Sequence, residues 1–349
     1  MPAATLTIDL DAIAANWRAL DRLSAPGVQT GAVVKADAYG LGAARVAQAL
    51  AAAGARRFFV ATVAEGAALR ASLGPGPQIC VLAGHMAGDA AALAGAALTP
   101  ILNSIDQITR HLEALPGQGF GIHLDTGMNR LGLGAAEWAA AAAIVLEAGP
   151  QLILSHLACA DDPGHPMNAT QLAAFRDLTE GAGIPRSLAA TGGILLGPAF
   201  HFELTRPGIG LYGGAPFAAA APVLRLALPV IQTRAVAPGE SVGYGATWTA
   251  EIPSVIATVA AGYADGLFRS LSNRGRLWSG PTPCPVVGRV SMDLVTADVT
   301  HLDHVPEALE LFGPAQGPDG LAAAAGTIGY EVLTALGPRY ARHYAGGRA

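Results

Sequence analysis

Between Val28 and about Ala215 the chain alternates short apolar runs with longer stretches whose apolar residues recur at helical spacing. The short runs are GAVVK, FFVAT, QICVLAG, ALTPIL, GIHLD, LILSHL, RSLAAT and FELTRPGIGLYG. Ala-rich amphipathic segments such as ARVAQALAAAGA, SIDQITRHLEAL, AAEWAAAAAIVLEA and NATQLAAFRDLTEGA lie between them. Nearly continuous apolar strands separated by helices predict a parallel sheet covered by helices. About eight such units is the count of a TIM barrel. Periodicity alone leaves a doubly wound sheet open.

The polar residues help to decide. Lys35 ends the first run, Asp125 and Arg130 follow the fifth, His156 ends the sixth, Thr191 ends the seventh, and Arg206 and Gly208 lie on the eighth. All fall at C-terminal strand ends, where barrel enzymes hold their chemistry and where the last two strands commonly build a phosphate site. From Pro222 the texture changes to β-rich runs broken by Pro and Gly turns, and helical periodicity largely vanishes until GTIGYEVLTAL. The predicted fold is α/β, a (β/α)8 barrel over residues 9–221 followed by a β-rich domain over 222–349.

Composition sharpens the interest in the polar residues. Of 349 residues, 52% are hydrophobic and only 13% charged, against about a quarter in ordinary soluble domains. Even so, no run reads as a spanning helix, and WAAAAAIVLEAGP is stopped by Glu147, Gly149 and Pro150. The first residues, MPAATLTIDLDAI, lack a basic region and carry Asp9 and Asp11, so no signal peptide is expected. A net charge of −5 argues against nucleic acid or an anionic membrane as partner. Cys80, Cys159 and Cys284 are isolated and form no CxxC pair, which fits a reducing cytoplasm. The acidic stretch ADDPGH lacks the convergent ligands of a metal cage, and no metal is expected.

Lys35 stands at the end of an apolar run, before a tyrosine and two glycines. Such a lysine can snorkel to solvent or pair with Asp37. On the lysine alone that is the favoured reading; the other is an amine whose pKa is lowered by burial and nearby cations, ready to form a Schiff base.

The stretch AVVKADAYGLGA resembles the cofactor-lysine motif of the alanine racemases. Further matches follow in that family's order: DTGMNRLG (125–132), SHLACAD (155–161), RPGIGLYG (206–213), GYADG (262–266), GRVSMD (288–293) and TIGYEV (327–332). The resemblance implies an N-terminal barrel that binds pyridoxal 5'-phosphate, a C-terminal β domain to which residues 1–8 add a strand, and a homodimer with shared sites. Lys35 would hold the cofactor covalently and Tyr39 would reach its phosphate. Thr191, Gly208, Ile209 and Tyr330 match the other phosphate-side positions, and His156 matches a residue beside the ring. Arg206 resembles the arginine that faces the pyridine nitrogen, and since a guanidinium keeps its proton it would leave that nitrogen unprotonated.

Racemisation removes a proton from one face of Cα and returns it to the other, and two opposed bases do this most simply. The family assigns these roles to Lys35 and Tyr263. A tyrosine needs nearby positive charge to work as a base, and His156 and Arg206 are the candidates. Arg130 is similar to the arginine near the substrate carboxylate. Met292 and Asp293 match residues that approach the partner subunit's site, and Asp161 and Arg289 match the corridor by which substrate arrives. Two positions depart from the pattern. His123 stands where many relatives have a lysine that becomes carbamylated, and Ala190-Thr191 stands where relatives often have Asn-Ser.

The expected activity is interconversion of L- and D-alanine, with Tyr330 narrowing the space near the substrate. The alternatives are a racemase of broad amino-acid specificity and a non-catalytic pyridoxal-phosphate carrier, which shares the barrel and lysine but lacks a GYADG tyrosine. Supply of D-alanine for peptidoglycan precursors and breakdown of alanine both agree with the resemblance.

Overall fold

The computed structural model describes residues 4–347. They divide into two compact units, one of residues 13–212 and 216–220, the other of residues up to 12, 213–215 and 221–347.

The first unit is the barrel. Seven parallel strands follow in chain order, from Ala32–Val33 through Arg57–Val60, Gln78–Val81, Thr99–Leu102, Gly121–His123 and Ile153–Leu154 to Arg186–Ser187. An eighth, Leu204–Thr205, pairs in parallel with Gln29–Thr30. Main-chain bonds complete the ring. Arg206 N–H donates to Ala189 O at 2.8 Å, while Gly31 and Val33 N–H donate to the Thr205 and Pro207 carbonyls at 2.9 Å each. Closure distinguishes the barrel from a doubly wound sheet, as the strand-end pattern of polar residues predicts.

The four amphipathic segments quoted above form helices Ala43–Ala53, Ile105–Ala114, Ala135–Glu147 and Pro166–Thr179. Their apolar sides cover the strands because a parallel strand buries both faces. Phe120, Ile122, Leu124, Val145, Ile153 and Phe175 are among the fully enclosed residues of one such layer. Trp138 keeps its indole N–H satisfied by donating to Leu178 O at 2.8 Å, so the ring can be buried at little polar cost.

The second unit is built on the long strand Leu224–Val236. Its first part pairs with Thr5–Asp9 and Ala308–Phe312, and its second part pairs with Ser254–Val259. The pairing shifts between Leu226 and Ala227 and again between Val230 and Gln232, irregularities that bend a strand and let it serve two sheets. Thr5–Asp9 is held on its other edge by Ala341–Ala345, which joins the two ends of the described chain in one sheet. Leu6, Ile8, Leu226, Leu228, Leu277 and Leu309 are fully buried in this unit.

Candidate active site

Lys35 leaves the first barrel strand on a backbone that runs the unusual way round. Ala36, Asp37, Ala38 and Tyr39 all have φ between 52° and 57°, one turn of left-handed helix made without glycine. That conformation costs L residues roughly 1–2 kcal/mol each, so neighbours must impose it. The Glu65 carboxylate accepts from Ala36 N–H at 2.8 Å and from Ala61 N–H at 2.7 Å. Asp37 closes the turn, its carboxylate accepting from Ala43 N–H at 2.7 Å and its carbonyl from Gly42 N–H at 2.9 Å. Tyr39 is buried against Tyr212, with ring centroids 4.7 Å apart, and Tyr212 donates its hydroxyl to Val33 O at 2.8 Å.

The turn sets the Tyr39 hydroxyl over Gly208. A Cβ added at Gly208 would lie 2.5 Å from that oxygen, so glycine is what lets the tyrosine in. Thr191 stands beside them and accepts from Gly208 N–H at 3.1 Å and Gly210 N–H at 3.3 Å, leaving its own O–H to donate elsewhere. Ile209, buried, opens the short 3₁₀ turn Ile209–Tyr212 that follows. The turn after the first strand and the ends of the seventh and eighth thus bring Tyr39, Thr191, Gly208 and Ile209 into one cradle of hydroxyl and backbone groups, suited to an oxyanion.

Positive charge gathers at the same end of the barrel. Arg206 is 5% exposed and donates to Ser155 O at 2.7 Å and to Ser187 Oγ. Burial lowers its pKa to about 10, and it remains a cation at neutral pH. Lys35 is pushed below the usual lysine range by burial first and by Arg130 second, with Glu65 opposing. His156 is forced down to about 3 by burial, then by Arg206, Arg130, Lys35 and His123, and is therefore neutral. The nearby carboxylates turn their hydrogen bonds to backbone N–H groups rather than to these cations. Glu65 and Asp37 are committed to the backbone bonds described above, and Asp125 accepts from Gly127, Met128 and Asn129 N–H at 2.9 Å each.

Tyr263, Met292 and Tyr330 belong to the β-rich unit. Tyr263 opens the 3₁₀ turn Tyr263–Asp265 after strand Ser254–Val259 and is 45% exposed. Its N–H donates to Ser291 O and the Ala264 N–H to Met292 O, both at 3.0 Å, so Met292 is laid directly beside the tyrosine's turn. The approach is so close that a Cβ at Gly262 would lie 2.3 Å from Met292 O. The Met292 side chain is exposed, not packed in the core as an isolated methionine would be expected to be. Tyr330 lies on a separate helix, Gly329–Thr334. Among the described residues no group of three or more His, Cys, Asp or Glu side chains is arranged to hold a metal ion.

The chain matches the family described as alanine racemase, N-terminal domain, over residues 8–216, and alanine racemase, C-terminal domain, over 223–344. It belongs to the alanine racemase family. An alanine racemase of Cereibacter sphaeroides (strain ATCC 17029) is 70% identical over 344 residues, 99% of each chain. One of Dinoroseobacter shibae is 67% identical over 349 residues, the whole of both. The crystal structure of alanine racemase from Bartonella henselae with covalently bound pyridoxal phosphate superposes with a TM-score of 0.93 at 38% identity, over 99% of this chain and all of that one.

Several alanine racemase site features escape sequence reasoning. Glu65 carries a capping-box signature with Thr62, but its reach to Ala36 crosses 29 residues. Tyr212 sits inside the quoted RPGIGLYG motif, yet only its stack on Tyr39 gives it a task. Ser155 and Ser187, which seat Arg206, carry no signal beyond their place at strand ends.

Proposed function

We propose that the chain is a pyridoxal-phosphate-dependent alanine racemase that interconverts L- and D-alanine, with Lys35 and Tyr263 as bases on opposite faces of the substrate Cα. The observation that carries this reading is Lys35 itself, a half-buried amine with a lowered pKa among cations, one left-handed turn from an oxyanion cradle. The cradle at Gly208 and the cations Lys35, Arg130 and Arg206 fit a phosphorylated aldehyde together with an amino-acid carboxylate. When bound, pyridoxal phosphate supplies an aldehyde carbon that condenses with amines and a ring that draws electrons away from Cα.

The chain's own residues do the rest. Tyr39, Thr191, Gly208 and Ile209 hold the phosphate, and Tyr330 is assigned there by family resemblance. Arg206 keeps its proton and offers a donor to the ring nitrogen without protonating it. His156, neutral, packs beside the ring and adds no charge to it. Arg130 receives the substrate carboxylate. Lys35, freed of part of its proton affinity by burial, anchors the cofactor and then moves the Cα proton on its face. Tyr263 moves the proton on the other face and, with Met292, is contributed by the partner subunit of a homodimer. Free cysteines support a reducing cytoplasm as the setting. No described helix is long and apolar enough to cross a membrane.

The reading is tested by loading purified protein with pyridoxal phosphate and offering a panel of L-amino acids, with products resolved by chiral chromatography. D-Alanine should form fastest, and larger side chains should react slowly. Comparable rates across the panel would point to a broad racemase, and no D-amino acid at all to a cofactor carrier.

A further inference from the structure

Gln171 lies on helix Pro166–Thr179 and is fully buried, with both ends of its carboxamide in use. Oε1 accepts from Ala158 N–H at 2.8 Å, while Nε2 donates to His156 O at 3.0 Å and to Thr126 Oγ1 at 3.1 Å. Those partners fix which end of the carboxamide is oxygen and which is nitrogen, since a backbone N–H only donates and a carbonyl only accepts. The Thr126 hydroxyl meets Ser155 Oγ at 2.9 Å, so Gln171 is joined to the end of the sixth strand from two directions. Thr126 and Ser155 are themselves buried, and water has little access to compete for these bonds.

The main chain held in this way carries two residues of the site. The Ser155 carbonyl accepts from Arg206 Nη2 at 2.7 Å, and Ser155 N–H donates at 3.0 Å to the carbonyl of Ser187, whose hydroxyl takes Arg206 Nη1. Asn168, one turn earlier on the same helix, donates to Asp162 O at 2.9 Å. Residues 156–162 are thus fastened at both ends by carboxamides of one helix. Between the fastenings Ala160 presses on Gly192, where an added Cβ would lie 2.9 Å from Ala160 Cβ and 3.0 Å from its carbonyl oxygen. Gly192 directly follows Thr191 of the oxyanion cradle.

We propose that Gln171 is a positioning residue for the ring side of the cofactor pocket, its carboxamide fixing the main chain that bears His156 and seats Arg206 before any cofactor binds. The inference rests on the functional reading above and deepens it. A pocket whose groups already stand in place spends little of its binding energy on ordering them.

Two measurements test this. Gln171→Glu is nearly isosteric; it keeps an oxygen for Ala158 N–H and sets another against His156 O, where two acceptors then meet. Pyridoxal-phosphate affinity, read by absorbance titration of the cofactor-free protein, should weaken about tenfold. The loss should shrink at mildly acid pH, where a protonated carboxyl regains a hydrogen to donate. Gln171→Leu, with no polar atom, should show the loss at every pH. A role in stability alone would lower the urea midpoint without moving the affinity of the folded protein. Wild-type affinity throughout in a folded Gln171→Glu protein would therefore overturn the proposal. The second measurement needs no variant. In cofactor-free wild type, the Ala158 amide should exchange slowly with D2O although the residue is exposed. Exchange at the rate of an open loop would show that Gln171 does not hold this segment in advance, and would equally overturn the proposal. Failure of the wild type to bind pyridoxal phosphate, with Ala158 protected, would instead strike the functional reading and the proposal with it.

Discussion

Arg339 grips Asp265 with two hydrogen bonds, Nε to Oδ1 at 2.6 Å and Nη2 to Oδ2 at 2.7 Å, and Asp265 passes the hold on to Gly262 N–H at 2.9 Å. The same guanidinium reaches Asp293 at 2.7 Å, so one side chain ties together the turn that bears Tyr263 and the segment that bears Met292. Asp265 is almost wholly buried and would be left with an uncompensated charge if Arg339 were shortened. Arg339→Ala should therefore loosen Tyr263 without touching the cofactor cradle. On the proposed mechanism kcat should fall between about ten- and a hundredfold, the usual penalty for a misplaced catalytic group. Cofactor affinity, followed by absorbance titration, should stay within a factor of about two, since a full tenfold loss would need 1.4 kcal/mol.

Glu65 makes a second claim testable, because it fastens the left-handed turn after Lys35. Removing its carboxylate frees Ala36 and Ala61 N–H together and removes the side-chain half of the capping box of helix Val63–Leu73. Glu65→Ala should cost about 1–3 kcal/mol in a urea melt and weaken cofactor binding as well. Glu65→Gln, which retains one accepting oxygen, should lie between. Wild-type cofactor affinity in a destabilised Glu65→Ala protein would show that the turn does not depend on this clamp.

Acid should unfold the cofactor-free chain early. His123 and His156 titrate near 6.5 when unfolded but are held to about 4 and about 3 in the fold, chiefly by burial. His85 and His111, whose Nδ1 atoms meet at 3.2 Å, are lowered too, again by burial first. Between those values and 6.5 the unfolded chain binds more protons than the folded one, so stability is complete above about pH 6.5 and falls as the pH drops toward 4 and then 3. The urea midpoint should be clearly lower at pH 5 than at pH 7.5. An equal midpoint at both would mean these histidines are not buried neutral.

The barrel was legible because each strand is a short apolar run and each covering helix keeps its own period, signals that act within a dozen residues. Lys35, Arg206 and Gly208 were legible for the same reason, as polar or small residues at the ends of such runs. The left-handed turn was not, because Ala, Asp, Ala and Tyr have no preference for it and tertiary partners impose it. Glu65 and Arg339 escaped because their partners lie far off in sequence, 74 residues away in the bond of Arg339 to Asp265. His123 was visible as a departure from the family pattern. Its Nδ1 contact with Asn103 Oδ1, at 2.9 Å, joins residues 20 apart and was not legible.

The central claim is that Lys35 and Tyr263 work from opposite faces of Cα, and hydrogen exchange in D2O reads this directly. Wild-type protein loaded with pyridoxal phosphate should turn either enantiomer of alanine into an equal mixture, with deuterium at Cα of the inverted product. Tyr263→Phe removes one base and leaves the other. It should lose racemisation by several orders of magnitude, yet still exchange the Cα hydrogen of one enantiomer with retained configuration, because Lys35 can take and return the proton on its own face. Loss of exchange for only the other enantiomer is the signature of two bases. If Tyr263→Phe inverted alanine at the wild-type rate, with deuterium entering both enantiomers alike, Tyr263 would not be a base and the two-faced mechanism would be wrong.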